Sequence, residues 1–129
     1  MKKLTWRKLS SKIVYKSPYV TVTEDDVIRP DGTEGKYNVV GTPPSVFIIA
    51  LTPKDEVYLV GQFRYTTKTY QLELPAGRSE ERDLLTSAKR ELQEETGLKA
   101  KKWVKVGEFQ PLNGLASEIS YVFIARGLE

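Results

Sequence analysis

The chain has 129 residues, with 20 Lys or Arg against 17 Asp or Glu, a net charge of +3, and neither cysteine nor histidine. That length fits one domain with a real core, and so even a charge balance argues for no nucleic-acid partner. Without cysteine, disulfides and thiolate metal sites are excluded; without histidine, acid–base chemistry near neutral pH falls to carboxylates, Lys, Tyr or metal-activated water.

Met1-Lys2-Lys3 resembles the start of a signal peptide, but Thr5, Arg7, Lys8, Ser10 and Ser11 interrupt any apolar run behind it. A secretory segment or membrane span is therefore not expected, and the expected location is the cytoplasm. The basic residues are unevenly placed. Lys2, Lys3, Arg7, Lys8, Lys12 and Lys16 precede the first acid, Glu24, and Lys99, Lys101, Lys102 and Lys105 form a second run. Such flanks suit either a phosphate-rich ligand or an ordinary solvated surface.

From Lys12 to Val40 the pattern predicts antiparallel strands. Val20-Thr21-Val22-Thr23 alternates, and Val27-Ile28 runs into the turn signal Arg29-Pro30-Asp31-Gly32, with Lys36 to Val40 returning. Gly41-Thr42-Pro43-Pro44 is the one internal joint, dividing an N-terminal antiparallel extension (1–42), part of the same domain, from the remainder (43–129). Ser45 to Leu51 is continuously apolar, as in a strand buried on both faces. Thr52-Pro53-Lys54-Asp55-Glu56 is a turn, and Val57 to Arg64 is expected back as a second central strand. Tyr70 to Leu74 is a short strand, Asp83 to Thr96 a helix with Gly97 as its C-terminal signal, and Trp103 to Phe109 and Tyr121 to Ala125 are two further strands. The sum is a mixed sheet with one long helix following its middle strands.

That helix contains Arg90-Glu91-Leu92-Gln93-Glu94-Glu95-Thr96-Gly97-Leu98. Glu91, Glu94 and Glu95 stand at i, i+3 and i+4, which stacks three carboxylates on one helix face. Like charges there repel, and a hard divalent cation with oxygen ligands reverses the sign of the interaction. Leu85, Ala88 and Leu92 share the adjoining apolar arc, with Glu95 expected nearest its border. Leu74-Pro75-Ala76-Gly77, upstream, is a loop-forming run suited to bringing backbone carbonyls to the same ion. The residues point to metal-dependent hydrolysis of a phosphorylated substrate.

These residues resemble the Nudix box: Gly, five residues, Glu, seven residues, then Arg-Glu-apolar-x-Glu-Glu-x-Gly-apolar. Arg90 to Leu98 matches throughout. The first half departs, because twelve residues separate Gly77 from Arg90 where the family has thirteen. The register of the first glutamate then falls on Arg82 or Asp83, with Glu81 as a neighbouring substitute. The resemblance implies an α/β fold, the Nudix α/β/α sandwich with a mixed central sheet, here preceded by the antiparallel extension. It implies Mg²⁺, with Mn²⁺ as a substitute, held by Glu91, Glu95 and the carbonyl of Ala76. Glu94 completes the site or binds a second ion, and Arg90 orients the glutamates.

The closer likeness is to ADP-ribose and nucleotide-sugar pyrophosphatases. Val60-Gly61-Gln62-Phe63-Arg64-Tyr65 resembles that subgroup, which implies substrate contacts from Gln62 and from Arg64, placed at the end of a buried strand. Glu73 fits the same pattern as a substrate contact. Gln110-Pro111-Leu112-Asn113-Gly114-Leu115-Ala116-Ser117-Glu118 resembles the segment carrying Pro-Gly and Ser-x-Glu, with Asn113-Gly114 in place of Pro-Gly; Glu118 is the candidate base or substrate contact. Phe63, Tyr65, Tyr70 and Tyr37 offer base-stacking partners, although strand aromatics are more often core. The implied activity splits a nucleoside diphosphate derivative into a nucleoside monophosphate and a sugar phosphate. The implied assembly is a homodimer built partly from the strands before Pro43. Alternatives are a nucleoside triphosphate or dinucleoside polyphosphate hydrolase, or a non-catalytic nucleotide sensor, for whose effector domain 129 residues leave no room.

Overall fold

A computed structural model describes residues 4–80 and 82–129. Among the described residues it contains nine strands and one helix. Two compact units result: one runs to Thr42 and takes in Leu112–Glu118, the other comprises Pro43–Pro111 and Ile119–Glu129.

The first unit is an antiparallel meander of β1 (Arg7–Lys16), β2 (Thr21–Ile28) and β3 (Glu34–Gly41), in that order. Both connections follow from their residues. Ser17 Oγ accepts hydrogen bonds from the amides of Tyr19 and Val20, closing the first turn. In the second, Gly32 takes φ 88°, a conformation open to glycine at little cost, while Asp31 accepts from the Thr33 amide and hydroxyl. Residues 112–118 add a further rung, Leu115 and Ser117 bonding the backbone of Val40. Val27 is buried, and Lys36 bridges Asp26 at 2.8 Å and Glu24 at 3.2 Å. All ten residues of the edge strand β1 are exposed, Leu9, Ile13, Val14 and Tyr15 among them.

The second unit is organised around β4 (Ser45–Ala50). It lies between β7 (Ala76–Arg78), antiparallel, and β9 (Ser120–Leu128), parallel, with β8 (Ala100–Phe109) antiparallel beyond β9. The sheet is mixed, as expected. Val46, Ile48 and Ala50 alternate onto the face covered by helix α1 (Leu84–Thr96), where they meet Ala88, Leu92, Phe123 and Ala125 in one buried cluster. The second helical layer of the sandwich has no counterpart among the described residues. Instead Phe47 and Phe109 pack on the far face with ring centroids 5.8 Å apart.

One expectation fails. Val57 to Arg64 is not a second central strand. The chain touches β4 only around Leu51–Val57 and through the amide of Tyr58. It then forms β5 (Val60–Arg64), which pairs with β6 (Thr69–Glu73) in a separate two-stranded ribbon. The reason lies in β4: β9 occupies one edge from Ser45 to Ala50, and β7 with Pro75 occupies the other. No row of free amides and carbonyls remains for β5.

Candidate active site

Helix α1 is fixed at both ends by local chemistry. Asp83 caps its N-terminus, accepting from the amide of Leu85 and the hydroxyl of Thr86. Those bonds hold its carboxyl below the ordinary aspartate range, the Thr86 hydroxyl contributing most. Gly97 closes the C-terminus at φ 75°, its amide on the Gln93 carbonyl. Ala88 and Leu92 fix the helix on the sheet, which turns the glutamate face towards β7. A buried contact between the Ser79 and Ser87 hydroxyls, 2.8 Å long, ties the end of β7 to the first turns of the helix.

The start of β7 meets two of the three acids. Glu95 Oε2 accepts from the Ala76 amide at 3.1 Å. Glu91 lies directly on Gly77: a Cβ built there would stand 2.1 Å from Glu91 Cδ and 2.3 Å from its nearer oxygen. Only a residue without a side chain leaves that seat free. Pro75 is fully buried, with its carbonyl taken by the Ile48 amide, so the turn is anchored to β4. Glu91 is also the most enclosed of the three, its side chain 12% exposed against 58% for Glu94. The expected order is thereby corrected, since Glu91 rather than Glu95 lies at the apolar border: β7 packs over the Glu91 side of the helix. Arg90 sits between them, 3.3 Å from Glu91, 4.0 Å from Glu94, and donating to the Arg78 carbonyl.

Burial raises the Glu95 carboxyl above the ordinary glutamate range, opposed by the Ala76 amide and by the charge of Arg64, and assisted by Glu73 and Glu94. A hard divalent cation relieves such a penalty, and a set of carboxylate and carbonyl oxygens is the kind it takes. Among the described residues no three acidic side chains form a ready-made cage. What is present is a pair, Glu91 and Glu95, on the first two residues of β7, with Glu94 beside them and turned to solvent. The donor chemistry fits.

Arg64 and Glu73 form one unit. Arg64 Nε donates to Glu73 Oε1 at 2.8 Å, and Nη2 donates to Oε2, a two-pronged geometry matching guanidinium to carboxylate. The bond draws Glu73 below its usual range and Arg64 above. Because Val60 pairs with Glu73 and Arg64 with Thr69, the Arg64 side chain reaches back along the ribbon to meet Glu73. Two of its five N–H donors are used, leaving three. The expectation that Arg64 ends a buried strand therefore fails; β5 is open to solvent, with β6 as its one strand partner among the described residues. Gln62 is exposed opposite Gln71. Phe63, Tyr65 and Tyr70 are likewise exposed, not core; Tyr70 covers Gly61, and Tyr37 meets Trp6 edge-on at 5.2 Å.

Glu118 is half-buried in the segment that belongs to the first unit. Of the residues in the register of the first box glutamate, Arg82 is exposed just before α1, Asp83 is engaged in capping, and Glu81 lies outside the described residues. Sequence reasoning missed three features: the seat of Glu91 on Gly77, the Ser79–Ser87 contact and the Arg64–Glu73 bond. The Gly of the Pro-Ala-Gly run was the one available signal for the first.

A mixed sheet carrying this glutamate helix against a Pro-Ala-Gly turn defines a Nudix hydrolase. Residues 41–129 match the sequence model of the NUDIX domain, and residues 6–40 match that of the nucleoside diphosphate sugar hydrolase N-terminal domain. The chain belongs to the Nudix family and is a Nudix pyrophosphohydrolase. It is 33% identical to ADP-ribose pyrophosphatase of Bacillus subtilis over 129 residues, 99% of this chain and 70% of that one. It is 32% identical to ADP-ribose pyrophosphatase of Mycobacterium tuberculosis over 93% of this chain and 59% of that one. It is also 31% identical to the methanol dehydrogenase activator of Bacillus methanolicus, over 95% and 66% respectively. The chain thus spans between 59% and 70% of the length of these relatives. A crystal structure of an ADP compounds hydrolase superposes with a TM-score of 0.87 at 22% identity, covering 100% of this chain and 71% of the other, and shares its fold. No helix among the described residues is long and apolar enough to cross a membrane.

Proposed function

We propose that the protein hydrolyses a nucleoside diphosphate linked to a sugar, with ADP-ribose as the first substrate to test. Water attacks one phosphorus of the diphosphate and the other phosphate leaves, giving a nucleoside monophosphate and a sugar phosphate. The observation that carries this reading is the pair Glu91 and Glu95 closed on Ala76 and Gly77, in a NUDIX domain preceded by residues that match the nucleoside diphosphate sugar hydrolase N-terminal domain.

Glu91, Glu95 and the Ala76 carbonyl are the proposed holders of a divalent cation, Mg²⁺ or in substitution Mn²⁺, with Glu94 as a further ligand or catalytic carboxylate. When bound, such an ion neutralises diphosphate charge and makes water more acidic. Arg90 keeps Glu91 and Glu94 apart and oriented through its contacts to both. Arg64 offers its remaining donors to a phosphate oxygen, and Glu73 serves it as a positioning residue. Its two bonds to Arg64 leave lone pairs on both Glu73 oxygens, so Glu73 is also a proposed substrate contact. Gln62 is a proposed substrate contact from the same ribbon, and Glu118 the proposed acceptor of the water proton. The proposed assembly is a homodimer that covers β1, and the proposed location is the cytoplasm.

The test is a panel of ADP-ribose, nucleotide sugars and nucleoside triphosphates with Mg²⁺ or Mn²⁺, products separated by chromatography. AMP and ribose 5-phosphate from ADP-ribose support the reading; turnover of triphosphates alone overturns it.

A further inference from the structure

A cavity in the second unit contains no carboxylate in its wall. It measures about 260 Å³ and is lined by Lys89, Arg90 and Gln93 of α1, by Lys99, and by Ala100 and Trp103 at the start of β8. Two cavities elsewhere differ in this respect, one carrying Asp26 and Glu34 and the other Glu108. Arg90 has carboxylates to answer it, at 3.3 Å and 4.0 Å. Lys89 feels the charge of Asp83, the helix cap, which lies outside the wall, so the wall itself carries Lys89 and Lys99 with no acid between them, and Gln93 adds an amide. Its aromatic wall is fixed: Trp103 Nε1 donates to the Ala100 carbonyl at 3.0 Å, and the ring meets Phe123 edge-on at 6.4 Å.

Charge selects an anion, and size limits it. The volume falls below the roughly 300–1,000 Å³ of pockets that enclose drug-sized ligands, so an intact nucleoside diphosphate sugar is too large. We propose that this cavity is a second ligand site, separate from the Glu91–Glu95 pair, which takes a small phosphate monoester of pentose size. Its phosphate is held by Lys89 and Lys99, and its sugar lies against Trp103. Arg90 links the two sites, because an anion in the cavity competes with Glu91 and Glu94 for one guanidinium. The binding does not depend on the chain's being a hydrolase.

The chain has two tryptophans, so Trp6→Phe leaves Trp103 as the sole indole reporter. Its emission is titrated with ribose 5-phosphate, inorganic phosphate and ribose, without added metal. Ribose 5-phosphate should give a saturable change, inorganic phosphate a weaker one and ribose none. Adding Lys89→Ala and Lys99→Ala should raise the midpoint at least tenfold while the thermal melt stays in place, because both lysines are exposed. Glu95→Gln, which lies outside the wall, should leave the midpoint within twofold. No saturable change, or a midpoint indifferent to the two lysines, overturns the site. Equal midpoints for phosphate and ribose 5-phosphate overturn the monoester assignment, and a midpoint moved by Glu95→Gln but not by the lysines places the binding at the acidic pair instead.

Discussion

At Gly77 the constraint is a distance. A methyl group there would overlap the Glu91 carboxylate, so Gly77→Ala displaces that side chain while leaving every charge of the site in place. We expect divalent-dependent hydrolysis to fall by about 10–100-fold, the usual effect of disturbing a ligand's orientation, with little change in melting temperature because the end of a flexible side chain can move aside. Glu91→Gln and Glu95→Gln should each abolish that activity with the fold retained. Without metal, relief of helix-face repulsion should change stability by no more than a few tenths of a kcal/mol (about 0.2–0.5 per pair). Denaturant melts beside activity assays check both statements. Glu73→Ala, which frees Arg64, should raise KM and leave kcat nearly unchanged. Equal losses in Glu73→Ala and Glu91→Gln would place Glu73 among the reacting groups instead.

The helix was legible because its signals are local. An Asp before it, a Gly after it and Ala88 with Leu92 on one arc sufficed to place Leu84–Thr96 within a residue. The ribbon was not legible, because the fate of Val57 to Arg64 depends on which strands, one of them some 60 residues away, claim the edges of β4. The acids were recognisable as a set, but their order of enclosure depends on β7, whose packing no helical period encodes. Leu92→Ala should cost about 2–5 kcal/mol through loss of a fully buried side chain, and Gly97→Ala about 1 kcal/mol through the left-handed cap, both read from urea midpoints. Just before the helix, Arg82 is one of the two residues that share the register of the first box glutamate. Arg82→Glu should lower the metal concentration giving half-maximal activity, and an unmoved midpoint would place Arg82 outside the site.

For the whole molecule, the two units carry separate sets of ion pairs. In the first, Lys36 holds Asp26 and Glu24 below their ordinary ranges. A depressed folded pKa gives stability that is present above the unfolded value, about 4, and is lost as pH falls through the folded one. Lys36 is itself raised, so its share persists below its unfolded pKa and is lost only as pH rises through the folded one, in strong alkali. Acid should therefore weaken this sheet, modestly because the groups are exposed. Lys36→Met should flatten the fall in urea midpoint between about pH 7 and pH 3. Exposed Leu9, Ile13, Val14 and Tyr15 on β1 support a homodimer at micromolar concentration by light scattering; a monomer contradicts that assembly. Glu91 and Glu95 are proposed to make the Pro-Ala-Gly segment a cation-dependent diphosphate site. Its most direct test is release of AMP from ADP-ribose by the unaltered protein with Mg²⁺, with EDTA, and by Glu91→Gln with Mg²⁺. AMP is expected in the first reaction alone, and undiminished AMP in EDTA or from Glu91→Gln would overturn that assignment.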